Sequence, residues 1–130
     1  MKKAFAVTIL LLLSHWAIAD CRPNGTPEMV AQTKESMLND PDYTVTEKGE
    51  DSEQVFIRKE DGSLVIGSFT LSEHGAHPSV VVSAVYESEG KVWVYHRGLT
   101  AGDCVVFERW LETFAERDRE LQQRFGQGGS

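Results

Sequence analysis

His74-Gly75-Ala76-His77 places two imidazoles three residues apart, and imidazole nitrogen is a common zinc donor. His96 lies at the end of a later apolar run, and Glu50, Asp51 and Glu53 sit in an earlier turn. Three histidines and one of these carboxylates would complete a tetrahedral zinc site, so His74, His77 and His96 are the candidate metal ligands. The rest of the chemistry is sparse. The chain has no G-x-S-x-G elbow, no helix-borne H-E-x-x-H and no phosphate loop. Ser72, Glu73 and His74 are adjacent, but neighbours in sequence do not build a nucleophile–base–acid relay. With 20 Asp and Glu in the chain, no carboxylate pair stands out as a glycosidase centre. The expectation is a protein that is not an enzyme and carries no cofactor.

A second set of residues suits recognition rather than catalysis. Glu60 and Asp61 occupy one turn, Glu87 and Glu89 another, and Tyr86 and Trp93 flank the latter. Carboxylates around exposed aromatic rings form a surface for a basic protein, charge setting the on-rate and the rings supplying the anchor.

The elements that would position these groups read as follows. Thr26 before Pro27 is an N-cap followed by proline at the first helical position, opening a helix to about Leu38 that Asn39-Asp40-Pro41 stops. Val30, Thr33, Met37 and Leu38 form its modest stripe. Five strand-like runs follow: Tyr43–Thr46, Val55–Arg58, Leu64–Leu71, Val80–Tyr86 and Val92–Tyr95. The turns at Lys48-Gly49, Asp61-Gly62, His74-Gly75 and Glu89-Gly90 are too short for parallel crossovers, so the sheet is expected to be an antiparallel meander. Alternate turns of a meander share an end, which groups Glu60 and Asp61 with Glu87 and Glu89. Thr100-x-x-Asp103 resembles a capping box, with Leu99 placed to staple onto Cys104. The long final helix carries Phe107, Leu111, Phe114, Leu121 and Phe125 on one face, with Trp110 beside them. Asp118 interrupts that stripe, which suggests that the helix overhangs the sheet there and lets Asp118 meet water, or that Leu121 and Phe125 dock elsewhere. The fold class is therefore α+β: an N-terminal helix, a five-stranded antiparallel meander and a long C-terminal helix packed on it. Residues 20–125 make one domain and 126–130 a flexible tail.

The N-terminus supplies the compartment. Lys2-Lys3, the apolar run Ala4–Leu13 and Ala17-Ile18-Ala19 are the three parts of a secretory signal peptide, cleaved after Ala19. The run is too short to span a bilayer, which takes ~20 residues. Charged Asp20 before Cys21 disfavours a lipoprotein anchor. Cys21 and Cys104 are the only cysteines, and in an oxidising periplasm or medium they are expected to pair. That bond would hold both helices on one side of the sheet, or at one end of it. Cleavage removes two lysines and moves the net charge from −7 to −9, which repels nucleic acid and anionic membranes.

Taken together, these features describe an exported, acidic, disulfide-tied binding protein, monomeric or dimeric. In general character it resembles periplasmic inhibitors such as lysozyme inhibitors and immunity proteins against toxins, with no residue carried over from them. The expected partner is a basic toxin or cell-wall hydrolase. Two alternatives are a metal-binding protein using the three histidines, and an accessory subunit of an envelope assembly docking through Leu121 and Phe125.

Overall fold

The fold is that of a computed structural model describing residues 21–128, with backbone only at 121 and 125–128. The signal-peptide reading falls on residues outside that range. Helix α1 spans Pro27–Leu38, and the Thr26 hydroxyl accepts the Met29 N–H at 3.2 Å, the cap that the Thr-Pro pair implied. Strands β1 Tyr43–Lys48, β2 Ser52–Arg58, β3 Leu64–Thr70, β4 Ser79–Ser88 and β5 Lys91–Thr100 follow, then α2, Cys104–Gly128. The five strands form one antiparallel sheet in sequence order, the meander that the short turns required. Helix α2 continues through Gly126 to Gly128, so residues 126–128 of the expected tail are helical.

Each face of the sheet has its own helix. Val55, Ile57, Phe69 and Val80 share one face by register and pack against Val30 and Met37, which lie two helical turns apart on α1. Val81, which points the other way, packs with Ala76, Phe107 and Phe114 under α2. Burying a side chain of this size contributes roughly 1.5–3 kcal/mol, so neither layer is dispensable. Each helix settles over a glycine. A Cβ on Gly67 would meet Met37 Sδ at 2.5 Å, and one on Gly98 would run into the Phe107 ring.

Of the two placements expected, one side of the sheet or one end of it, the structure has the helix starts at one end and the helix bodies on opposite faces. The disulfide Cys21–Cys104, with its Cα atoms 6.0 Å apart, joins the N-terminal ends of α1 and α2 at one end of the sheet. A bond between helix starts constrains that end and leaves each helix free to follow either face. Leu99 goes with α1, against the core of its face, and so does not staple onto Cys104. The cap of α2 also differs. Asp103 is the capping residue, its carboxylate accepting the N–H groups of Val105 and Val106 at 3.0 and 3.2 Å. Thr100 is still strand, with its hydroxyl 2.6 Å from that of Ser79 and accepting the Gly102 N–H. Strand pairing claimed the residue that the capping pattern needed.

Candidate binding surface

Strands β4 and β5 are longer than their neighbours. Strand β3 begins at Leu64, opposite Val85, which in turn faces Val94; beyond that line β4 and β5 continue alone as a two-stranded hairpin. Glu89 and Gly90 close it with φ of 55° and 76°, the doubly left-handed turn that matches strand twist. Tyr86 pairs directly with Trp93, and Tyr95 lies two residues along on the same face. With exposures of 43%, 44% and 58%, the trio forms an exposed aromatic patch. Tyr86 and Trp93 were expected anchors. Tyr95 was overlooked, although its spacing of two from Trp93 places it on the same face. A groove of about 550 Å³ lies beside α1, lined by Val65 and Val82 of the sheet and by Met29, Thr33 and Met37 of the helix.

The acidic turns do gather at this end of the sheet. Glu60 and Asp61 lie in the β2–β3 turn, and Glu87 and Glu89 at the β4–β5 tip. The Ser63 hydroxyl and N–H donate to Asp61 at 2.6 and 2.9 Å and hold its carboxyl below the usual carboxylate range. Asp40 and Asp42 join this end from the α1–β1 loop, where Lys59 reaches them at 3.1 and 3.6 Å. Six carboxylates thus face three cations, Arg58, Lys59 and Lys91. The end is net negative, but its parts are not coplanar: Glu87 pairs with Val92, on the opposite face of the hairpin from Tyr86.

The three histidines are not brought together. Strand register sets the distance: Thr100 pairs with Ser79, beside His77, whereas His96 pairs with Ser83, four residues or ~13 Å further along. His77 Nδ1 lies 3.0 Å from the Thr70 carbonyl oxygen and 2.9 Å from its hydroxyl. His74 Nδ1 accepts the Ala76 N–H at 3.0 Å, and its ring lies 4.8 Å from that of Trp110. Among the described residues no group of three or more His, Cys, Asp or Glu is placed to hold a metal ion.

His96 instead meets Asp118. The two side chains are hydrogen-bonded through Nδ1 and Oδ2, and Asp118 is 6% exposed. The expectation that Asp118 meets water is overturned: the interruption of the apolar stripe is a polar pin between α2 and β5. Ser83, the cross-strand neighbour of His96, is buried, and its hydroxyl has no hydrogen-bond partner. Serine, histidine and aspartate therefore stand in relay order. Yet Ser83 Oγ makes no bond to His96 and is sealed from solvent, so it presents no reachable nucleophile. On the outer side of the pin, Val94, His96, Ala115 and Arg119 line a shallow cleft of about 470 Å³. The Leu121 and Phe125 side chains, placed on the apolar stripe with docking elsewhere as the alternative, lie outside the described set.

Fold and surface together define a small α+β protein: a five-stranded meander with a helix on each face and a projecting aromatic hairpin. No protein-family model matches the chain, and no curated protein or solved structure matches it. No described helix is long and apolar enough to cross a membrane.

Proposed function

We propose that this is an exported binding protein that neutralises a basic protein partner, such as a cell-wall hydrolase or a toxin, at the end of the sheet carrying the β4–β5 hairpin. The observation behind this reading is the combination found there: a net-negative rim of Glu60, Asp61, Glu87 and Glu89 beside an exposed Tyr86–Trp93 pair. Charge of that sign draws a basic surface in, and buried aromatic rings hold it. The Cys21–Cys104 bond fits an oxidising compartment, and the N-terminal signal-like segment fits export.

The test is capture of a partner from the envelope fraction by the processed protein, followed by titration of the purified pair. Glu87→Lys with Glu89→Lys should weaken binding more than tenfold, Trp93→Ala comparably, and raising salt to about 0.5 M should release the partner. Binding that survives both the charge reversal and the salt would overturn the acidic-rim reading.

A further inference from the structure

The two edges of the sheet are built differently. Strand β1 is six residues long, and its pairing with β2 is broken by a register shift between Tyr43 and Val45. Strand β5 is ten residues long with unbroken pairing to β4. Long, flat edges template further pairing, and bulges and shortness are the usual ways of blunting them. Strand β1 is blunted and β5 is not.

The chain already lays extended backbone on part of the β5 edge. Gly25 N–H donates to the Thr100 carbonyl at 3.0 Å, Thr100 N–H donates to the Asn24 side-chain oxygen at 2.7 Å, and Asn24 Nδ2 donates to the Gly98 carbonyl at 3.1 Å. Antiparallel alternation turns the N–H and C=O groups of His96, Val94 and Val92 outward in the same direction. Among the described residues none of these groups has a partner, so occupancy of the edge stops at Gly98 while the strand continues for seven more residues.

We propose that the open β5 edge, Val92 to Arg97, receives an extended segment of a partner protein as a sixth strand, a segment with apolar and acidic residues in alternation. This goes beyond the acidic-rim reading: it shares Trp93 and Lys91 with that surface but uses the outward backbone groups of β5 in place of the acidic turns. An extended segment fits because α2 lies along β5 itself, over Gly98 and pinned at His96, with the 470 Å³ cleft between helix and edge. A peptide backbone needs only the ~4.8 Å of strand spacing. A second copy would bring its own α2 beside this one at that spacing, where helices need ~8–10 Å. The side chains bordering the edge set the chemistry. Trp93 and Tyr95 offer apolar surface on one face. Lys91 and Arg97 on that face, and Arg119 in the cleft, are cations, while Asp118 is already committed to His96. Main-chain pairing would supply affinity and the alternating side chains selectivity.

The probe is a fluorescein-labelled eight-residue peptide alternating Glu and Val, titrated by anisotropy against the disulfide-bonded protein, with a Lys–Val peptide in parallel. The Glu–Val peptide should bind at least tenfold more tightly and slow amide exchange at Val92, Val94 and His96. Val94→Pro removes one outward donor without touching the β4 ladder, and should cost about tenfold in affinity. Retention of the slow exchanging core amides in that variant shows that it is folded. Equal binding of the two peptides, no binding at ~1 mM, or slowed amides elsewhere than on β5 would overturn the proposal. So would a dimer in sedimentation equilibrium whose β5 edge amides are already protected without peptide.

Discussion

The two faces of the sheet solve the same burial problem with different chemistry. Under α1 the contact is aliphatic, with Val55, Ile57 and Val80 sealed against Val30 and Met37 and a single Phe69. Under α2 it is aromatic and partly polar. Phe107, Trp110 and Phe114 form an edge-to-face chain with ring centroids 6.2 and 5.0 Å apart, and the helix is then fixed further along by the Asp118–His96 bond. An aliphatic layer is held by area alone and tolerates sliding. A directional hydrogen bond within an aromatic layer sets the rotation and register of its helix, which is how a 25-residue helix packed chiefly on one edge strand keeps a single seating.

The contrast between the faces can be broken by substitution, with the largest effect at the disulfide that serves both. Replacing Cys21 and Cys104 together by Ser should cost both layers at once. The bond spans 83 residues of sequence, and a loop that long is worth about 4.5 kcal/mol, read from the shift of the urea midpoint. Phe114→Ala should destabilise by about 3–5 kcal/mol and Met37→Ala by about 2–5 kcal/mol in the same assay. If the faces differ as described, only the first should also loosen amide protection along α2. Asp118→Ala leaves His96 without its partner and should cost about 1–3 kcal/mol, whereas Asp118→Leu with His96→Leu should recover most of that loss. Failure of the double variant to recover would mean that the pair does more than pin the helix. The smallest effect lies at the end of α1. The Asp42 N–H, and then Lys59, hold the Asp40 carboxyl below its ordinary value of 3.8. A depressed folded value means that its contribution is complete above pH 3.8 and lost as pH falls through the lower folded value. Asp40→Asn should therefore slightly lower stability at neutral pH, leave stability below the lowered folded value nearly unchanged, and so flatten the acid limb of a stability–pH profile.

Most of the architecture was legible because it rests on local rules. Alternation, turn residues and the Thr26–Pro27 cap located five strands and the first helix, and two cysteines allowed only one pairing. What escaped needed the third dimension. Asp118 was visible as an anomaly in the stripe. Its partner was not, because only sheet register and the choice of face bring His96 under α2. His74, His77 and His96 looked like one set because all fall near strand ends in the chain. In fact β5 runs on to Thr100, which leaves His96 in mid-strand. The opposite placement of the helices was hidden for a similar reason, since a disulfide reports proximity of two points and says nothing about faces. The free edge of β5 had no signature beyond being last in a meander.

The Cys21–Cys104 bond makes the chain from 21 to 104 a closed covalent ring that contains α1 and all five strands, with α2 as its only appendage among the described residues. A protease that cuts any one of the hairpin loops therefore linearises the ring without liberating a piece. Among the described residues only a cut beyond Cys104 sheds mass, and that segment is the one pinned by Asp118. Where proteases are abundant, the molecule can be nicked once in its loops and still travel as a single particle until its disulfide is reduced.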